Sequence, residues 1–209
     1  YMVKGDRIVG IDIGTTKICT IVAEVEEDGC LKITGVGSAP SDGLKRGVVV
    51  NVEKTVKSIQ EAIDRAEQMS DTRITAVYAG IAGDHISSFN SRGVIAVSGP
   101  DNEITAHDEA RVIEAAKAIN IPLDREIVHV LPQDFLVDDQ PGIKDPIGMS
   151  GVRLEADVHI VTGAVTSAQN ICKSIRRAGV EVVDLVLEPV ASSYAVLTPD
   201  EEEMGVVLV

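Results

Sequence analysis

A chain of 209 residues with 33 acidic and 19 basic side chains carries a net charge of −14. That balance excludes a surface that grips nucleic acid or anionic lipid, because both need clustered Lys and Arg. The length allows one sizeable core or two small ones, and with 2% aromatic residues and no Trp there is little on which sugars or bases would stack.

Cys19, Cys30 and Cys172 are odd in number and scattered, so they read as buried free thiols rather than a disulfide framework or a metal knuckle. His85, His107, His129 and His159 lack ligand spacing and read as structural. No apolar run reaches the roughly 20 residues of a bilayer span, and the N-terminus lacks the apolar core of a signal peptide. The expected location is cytoplasmic. Tyr1 ahead of Met2 reads as a cloning remnant.

The first informative stretch is Arg7–Val22. An apolar strand ends in Asp12, turns through Gly14, Thr15 and Thr16, and returns at once as a second apolar strand starting at Lys17. A turn of this composition presents amides and hydroxyls to an anion. Gly14 lets the backbone come close to a phosphate, the two threonines donate hydrogen bonds, and Asp12 is placed to hold a hydrated cation. The same residues also make an ordinary β-hairpin with a Gly-Thr-Thr turn.

Glu27-Asp28-Gly29 then turns the chain into a third strand at 31–37, and 40–43 reads as a loop. Asn51 is the expected N-cap of a helix with Glu53 in its first turn. Its buried stripe is expected to be Val52, Val56, Ile59, Ala62, Ile63, Ala66 and Met69. A buried strand at 73–79 pairs back on the hairpin. Composition changes at Gly80–Asp84, after which the pattern is strand (86–97), helix (108–118), strand (127–137), a long Pro- and Gly-containing loop (138–151) and strand (153–161). Thr105 with Asp108 approximates a capping box. The long loop reads equally as an interaction element and as a mobile connector. A helix at 167–178 stopped by Gly179, a strand at 180–187, and a second helix opening at Glu188-Pro189 follow. Residues 205–209 read as an apolar strand that stops without a turn, as if cut in mid-domain.

The order of these parts resembles the first half of the actin, sugar kinase and chaperone ATPase superfamily, in which a second half repeats the hairpin. The insert falls after Ala79 rather than between the third strand and the first helix. That placement, with Gly10–Lys17, Val77–Ile86, His129–Gln133, Gly142–Arg153 and Ala191–Leu197, resembles the FtsA family of bacterial cell-division proteins along essentially the whole chain. The resemblance implies an α/β, actin-like (ribonuclease H-like) half with an α+β inserted subdomain, IC. It divides the chain into a first part of subdomain IA (1–83), the insert (84–161), the return to IA (162–199) and the start of a second half (200–209).

It further implies an ATP-binding scaffold, at most a weak ATPase. Such a scaffold polymerises, links FtsZ to the inner membrane at the septum, and recruits later division proteins such as FtsN through IC. By motif position Asp12 lies near magnesium through water, Gly14, Thr15 and Thr16 touch the β- and γ-phosphates, Lys17 lies nearby, and Glu188 orients water or metal. The FtsZ site, second phosphate hairpin and membrane helix of the family fall beyond Val209, so weak ATP affinity is expected of these residues alone. The alternative is a small-molecule kinase on the same fold, which needs a general base. Asp157 is the available carboxylate, and it reads more simply as a solvent-facing residue of an edge strand.

Overall fold

The hairpin is the centre of a five-stranded sheet of order β11-β6-β1-β2-β3. The computed structural model describes residues 6–208, so Tyr1 and the Val209 end of the expected last strand lie outside the described residues. The chain divides into two units, residues 1–85 with 164–209, and Ile86–Gly163.

In the first unit β1 (Arg7–Ile13) pairs antiparallel with β2 (Lys17–Val25), which pairs with β3 (Leu31–Pro40). Strict alternation in β1 buries Val9, Ile11 and Ile13 on one face. Helix α1 (Val52–Ser70) covers that face. Asn51 caps it as expected, its side chain accepting from Lys54 N at 3.1 Å. Val56, Ile59, Ala62, Ile63 and Ala66 are buried, but Met69 is 64% exposed. It lies on the flank of the helix over the β3 edge, where its sulfur accepts from the Val36 amide at 3.3 Å.

Two glycines set how closely α1 lies. A Cβ on Gly37 would stand 1.9 Å from Ala62 O, and one on Gly35 2.6 Å from Ala66 O. Small residues therefore meet on both sides, and helix backbone rests directly on strand backbone.

The 40–51 connection contains structure that composition did not reveal. β4 (Leu44–Lys45) and β5 (Val48–Val49) form a miniature hairpin turned by Arg46 and Gly47, both with positive φ. β6 (Ala76–Ile81) then runs parallel to β1, and β11 (Glu181–Leu187) parallel to β6. Helix α3 (Val165–Arg177) packs on β11 and touches α1, where Arg177 Nη2 meets Glu53 Oε1 at 2.5 Å. That contact joins the cationic last turn of one helix to the anionic first turn of the other. The opposite face of the sheet is open. Tyr78, Gly10, Ile21 and Val36 are cross-strand neighbours along one line on it, and the three side chains are each about two-fifths exposed.

Helices α4 (Glu188–Val196) and α5 (Pro199–Met204) follow, neither with a buried residue. Gly205–Leu208 has no regular structure, against the expected strand. Without a neighbouring strand its amides have no ladder to join.

The second unit is a four-stranded antiparallel sheet of order β7-β10-β8-β9 under one helix. β7 (Ser87–Ala96) and β10 (Arg153–Ala164) pair without interruption from Ala96↔Arg153 to Ser87↔Thr162. Between them in sequence lie α2 (Ala106–Lys117), β8 (Arg125–Val137) and β9 (Gln140–Ile143). Thr105 and Asp108 form the full reciprocal capping box. Ile104, Val112, Ala116, Phe135, Leu154, Val158 and Ile160 make the core. The glycine device recurs: a Cβ on Gly93 would stand 2.1 Å from Val112 O of α2.

The stretch 138–151 is not a free loop. Its first residues become β9, and Asp138 accepts from the amides of Val152 and Arg153. Three backbone bonds stitch the remainder to the 102–104 segment: Ile104 N to Met149 O at 2.8 Å, Gly148 N to Ile104 O at 2.9 Å and Gly151 N to Asn102 O at 3.0 Å.

Replacing Gly37 by Ala should cost about 1–3 kcal/mol in urea unfolding, the usual range for overpacking a tight contact. Removing the cap by Asn51→Ala should cost about 1 kcal/mol. A loss from Gly37→Ala well below about 1 kcal/mol would show that the close approach of α1 is not a tight contact.

Candidate functional site

Three parallel strands, β1, β6 and β11, come from distant parts of the chain and end side by side. In open α/β sheets ligands bind just outside such carboxyl ends. β1 delivers Asp12, β6 delivers Gly80, and β11 runs into α4 at Glu188. Gly80 leaves the space that Glu188 occupies, because a Cβ there would lie 3.0 Å from Glu188 Cγ. The two carboxyl groups consequently meet, with Glu188 hydrogen-bonded to Asp12.

Burial foremost, then the charge of Asp12 and the hydrogen bond to it, push the Glu188 carboxyl up to about 7. Below about pH 7 Glu188 is therefore mostly protonated, so the two carboxyl groups can lie together without mutual repulsion. A carboxyl that changes state near pH 7 is suited to accept or return a proton, and a carboxylate pair is suited to draw a hydrated cation.

A cavity of about 490 Å³ opens beside this pair on the uncovered face of the sheet. Gly10, Asp12, Cys19, Tyr78 and Gly80 line one side, Lys17 and Glu188 reach into it, and Ala191, Ser192 and Ala195 of α4 form the far wall. Its size is that of a small-molecule pocket. Of the residues expected from sequence, Asp12, Lys17 and Glu188 line it. Gly14, Thr15 and Thr16 do not, forming instead the hairpin turn, in which both threonines are exposed.

Cys19, Tyr78 and Ser192 were not foreseen. The signal for Cys19 was available, since a two-stranded register places it directly opposite Asp12; Tyr78 and Ser192 depend on pairings between distant segments.

Other expectations need correction. None of the three cysteines is in a disulfide, but Cys30 is exposed and Cys19 and Cys172 are only half-buried; Cys19 lines the open face of the sheet. Asp157 is not on an edge strand. It lies on β10, between β7 and β8, and both its carboxylate oxygens accept from Arg92 at 2.6 and 2.7 Å. So held, it is poorly suited to serve as a base. Among the described residues no group of three or more His, Cys, Asp or Glu side chains is placed to hold a metal. Asp12, joined by Glu188 once it ionises, would suit magnesium, which binds through one or two carboxylates and keeps water and phosphate in its remaining positions. No helix among the described residues is long and apolar enough to cross a membrane.

This architecture defines the class: one half of an actin-like, ribonuclease H-like α/β fold carrying an inserted α+β unit. Among solved structures the chain is similar to the PilM-PilN type IV pilus biogenesis complex, with a TM-score of 0.60 over 90% of this chain and 49% of that one, at 17% identity. Residues 83–162 match the profile of the SHS2 domain inserted in FtsA. The chain is 54% identical over 206 residues to cell division protein FtsA of Pseudomonas aeruginosa, and 49% identical over 202 residues to that of Borreliella burgdorferi. These alignments cover 99% and 97% of this chain and 49% of each relative. The chain belongs to the FtsA family, and it spans about half the length of the curated relatives it matches.

The Glu188 carboxyl has a signed effect on stability. Its folded value of about 7 lies above its ordinary 4.5, so its contribution is complete below about 4.5 and is lost as pH rises through about 7. In chemical denaturation the parent should lose stability over that window relative to Glu188→Gln, with the difference levelling off above it. Parallel pH curves for the two proteins would mean that Glu188 does not hold its proton in the fold.

Proposed function

We propose that the chain acts in bacterial cell division as the part of an ATP-binding scaffold that carries one side of the nucleotide site and the partner-binding insert. The observation that supports this most directly is the Asp12–Glu188 pair. It stands at the carboxyl ends of three parallel strands, beside the Gly14–Thr16 turn and over a ligand-sized cavity. Asp12 would hold magnesium through water, the Gly14, Thr15 and Thr16 amides and hydroxyls would hold the β- and γ-phosphates, and Lys17, which lines the cavity, would offset their charge. Bound magnesium–ATP supplies the phosphoanhydride and the cation that neutralises it. Glu188 would orient water beside the cation, and its raised pKa would let it hold or release a proton near neutrality.

The names of the relatives support the division role. On this reading the full-length scaffold polymerises, links FtsZ to the cytoplasmic face of the inner membrane, and recruits FtsN and other division proteins through the insert. The insert's Lys144 and Arg153 are committed internally, Lys144 to Gln133 O and Asp134, and Arg153 to Asp139 and Glu155. Partner contacts are therefore better probed at Ile147 and Val152, which are 46% and 60% exposed.

In calorimetric titration, residues 1–209 should bind magnesium–ATP with a Kd no tighter than about 1 mM, because only one side of the site is present. A protein of the relatives' full length should bind it far more tightly, and should lose about ten-fold or more on Asp12→Ala. Full-length protein that binds no better than the half, or is indifferent to Asp12→Ala, would overturn the reading. Ile147→Asp with Val152→Asp should weaken capture of division partners while leaving ATP affinity unchanged. Unimpaired capture would move the partner site elsewhere.

A further inference from the structure

β3 is the outermost strand of its sheet and runs for ten residues, the kind of edge on which a second chain can add a strand. Its outward side is not left bare. Glu61, Arg65 and Met69 recur at four-residue intervals and so form one stripe along α1. Arg65 donates through Nη1 to the carbonyl of Ser38 on β3, and its Nη2 is held at 2.5 Å by Glu61 Oε1. Met69 Sδ accepts from the amide of Val36 at 3.3 Å.

These are neighbouring outward groups. Ser38 and Val36 are paired with Cys19 and Ile21 in the β2–β3 register and are two residues apart, so their spare backbone groups point the same way, off the sheet. At either end of this stretch the edge is closed by other means. Pro40 has no amide to offer, and the register shift opposite Val22 and Ala23 breaks the straight run of the strand.

The side chains involved do not belong to the core. Met69 is 64% exposed and the Arg65 side chain 52% exposed, so neither is held there by burial. An exposed Arg and an exposed Met would ordinarily point into water. Here the close seat of α1 on Gly35 and Gly37 brings both within reach of the strand edge.

We propose that Arg65 and Met69, with Glu61 as the anchor of Arg65, are a latch that keeps the β3 edge from pairing with β3 of a second copy of this chain. Self-association through this edge is latent in the fold and is released when the latch is removed. The proposal is independent of nucleotide and of the insert, since every residue in it lies on α1 or β3.

The test compares the 209-residue chain with Arg65→Ala/Met69→Ala, two exposed helix positions at which Ala favours the helix. Sedimentation velocity over a concentration series should show the double variant associating at concentrations where the parent is unchanged. Adding Val36→Lys, which places a charge on the freed edge, should restore the parent's behaviour. At concentrations too low for association, the Val36 amide should exchange about three- to ten-fold faster in Met69→Leu, the loss expected for one hydrogen bond. Met69→Leu retains the bulk of the side chain and provides this readout even if the double variant fails to fold. A folded double variant that sediments like the parent across the series, unchanged Val36 exchange in Met69→Leu, or association of the double variant that Val36→Lys does not reverse, would each overturn the proposal.

Discussion

The parallel register of β1, β6 and β11 is the constraint on which the rest depends. Parallel neighbours cannot be joined by a tight turn, so each return requires a crossover that carries the chain over one face of the sheet. α1 makes the first return and α3 ends the second, with the whole inserted unit spliced between β6 and α3. Because both helices lie against one face, the other is left to line a cavity, and the three strand ends bring together Asp12, Gly80 and Glu188, which are far apart in sequence. The carboxyl pair is therefore a product of topology more than of any local motif.

The short-range features were legible before the structure. The hairpin, the Asn51 cap, the Thr105–Asp108 box, the Gly179 stop and the main helices and strands each depend on neighbours within a few residues, and such signals survive in a linear reading. The features that escaped depend on partners supplied by distant segments. β4 and β5 are too short to show periodicity. The 138–151 stretch has a loop's composition, yet its amides and carbonyls find the 102–104 backbone and the Asp138 carboxylate finds two amides. Met69 falls on the apolar stripe of α1 by spacing, but its flank of the helix lies over the β3 edge rather than over the core, and its sulfur meets a strand amide there. At the site, Glu188 is singled out by what the resemblance implies rather than by its local sequence, and its altered acidity arises from burial first and from the neighbouring Asp12 second, both of which only the fold supplies. The actin-like half and its α+β insert were recognised through the order of elements and their local wording together.

The glycines that seat the helices follow the same logic at closer range. Gly35, Gly37 and Gly93 all lie in strands, where glycine ordinarily weakens pairing and leaves nothing to pack. Each faces the backbone of a helix, so the missing side chain is replaced by the helix itself. Ala62, Ala66 and Ala116 are the matching positions on the helices. The large apolar side chains are thereby free to fill the space on either side of the contact, as Ile59 and Ile63 do in one unit and Val112 does in the other.

The pairing of Ser87 with Thr162 places the first and last strands of the inserted unit next to each other along their whole length. Its point of entry and point of exit therefore stand about 5 Å apart, the spacing of adjacent strands. A unit with such closely spaced ends interrupts its host as little as a short surface turn does, and its own core closes without host residues. It is in this sense a portable cassette. Changes on the surface of the cassette therefore leave the Asp12–Glu188 geometry of the host sheet untouched, since neither carboxyl lies within it.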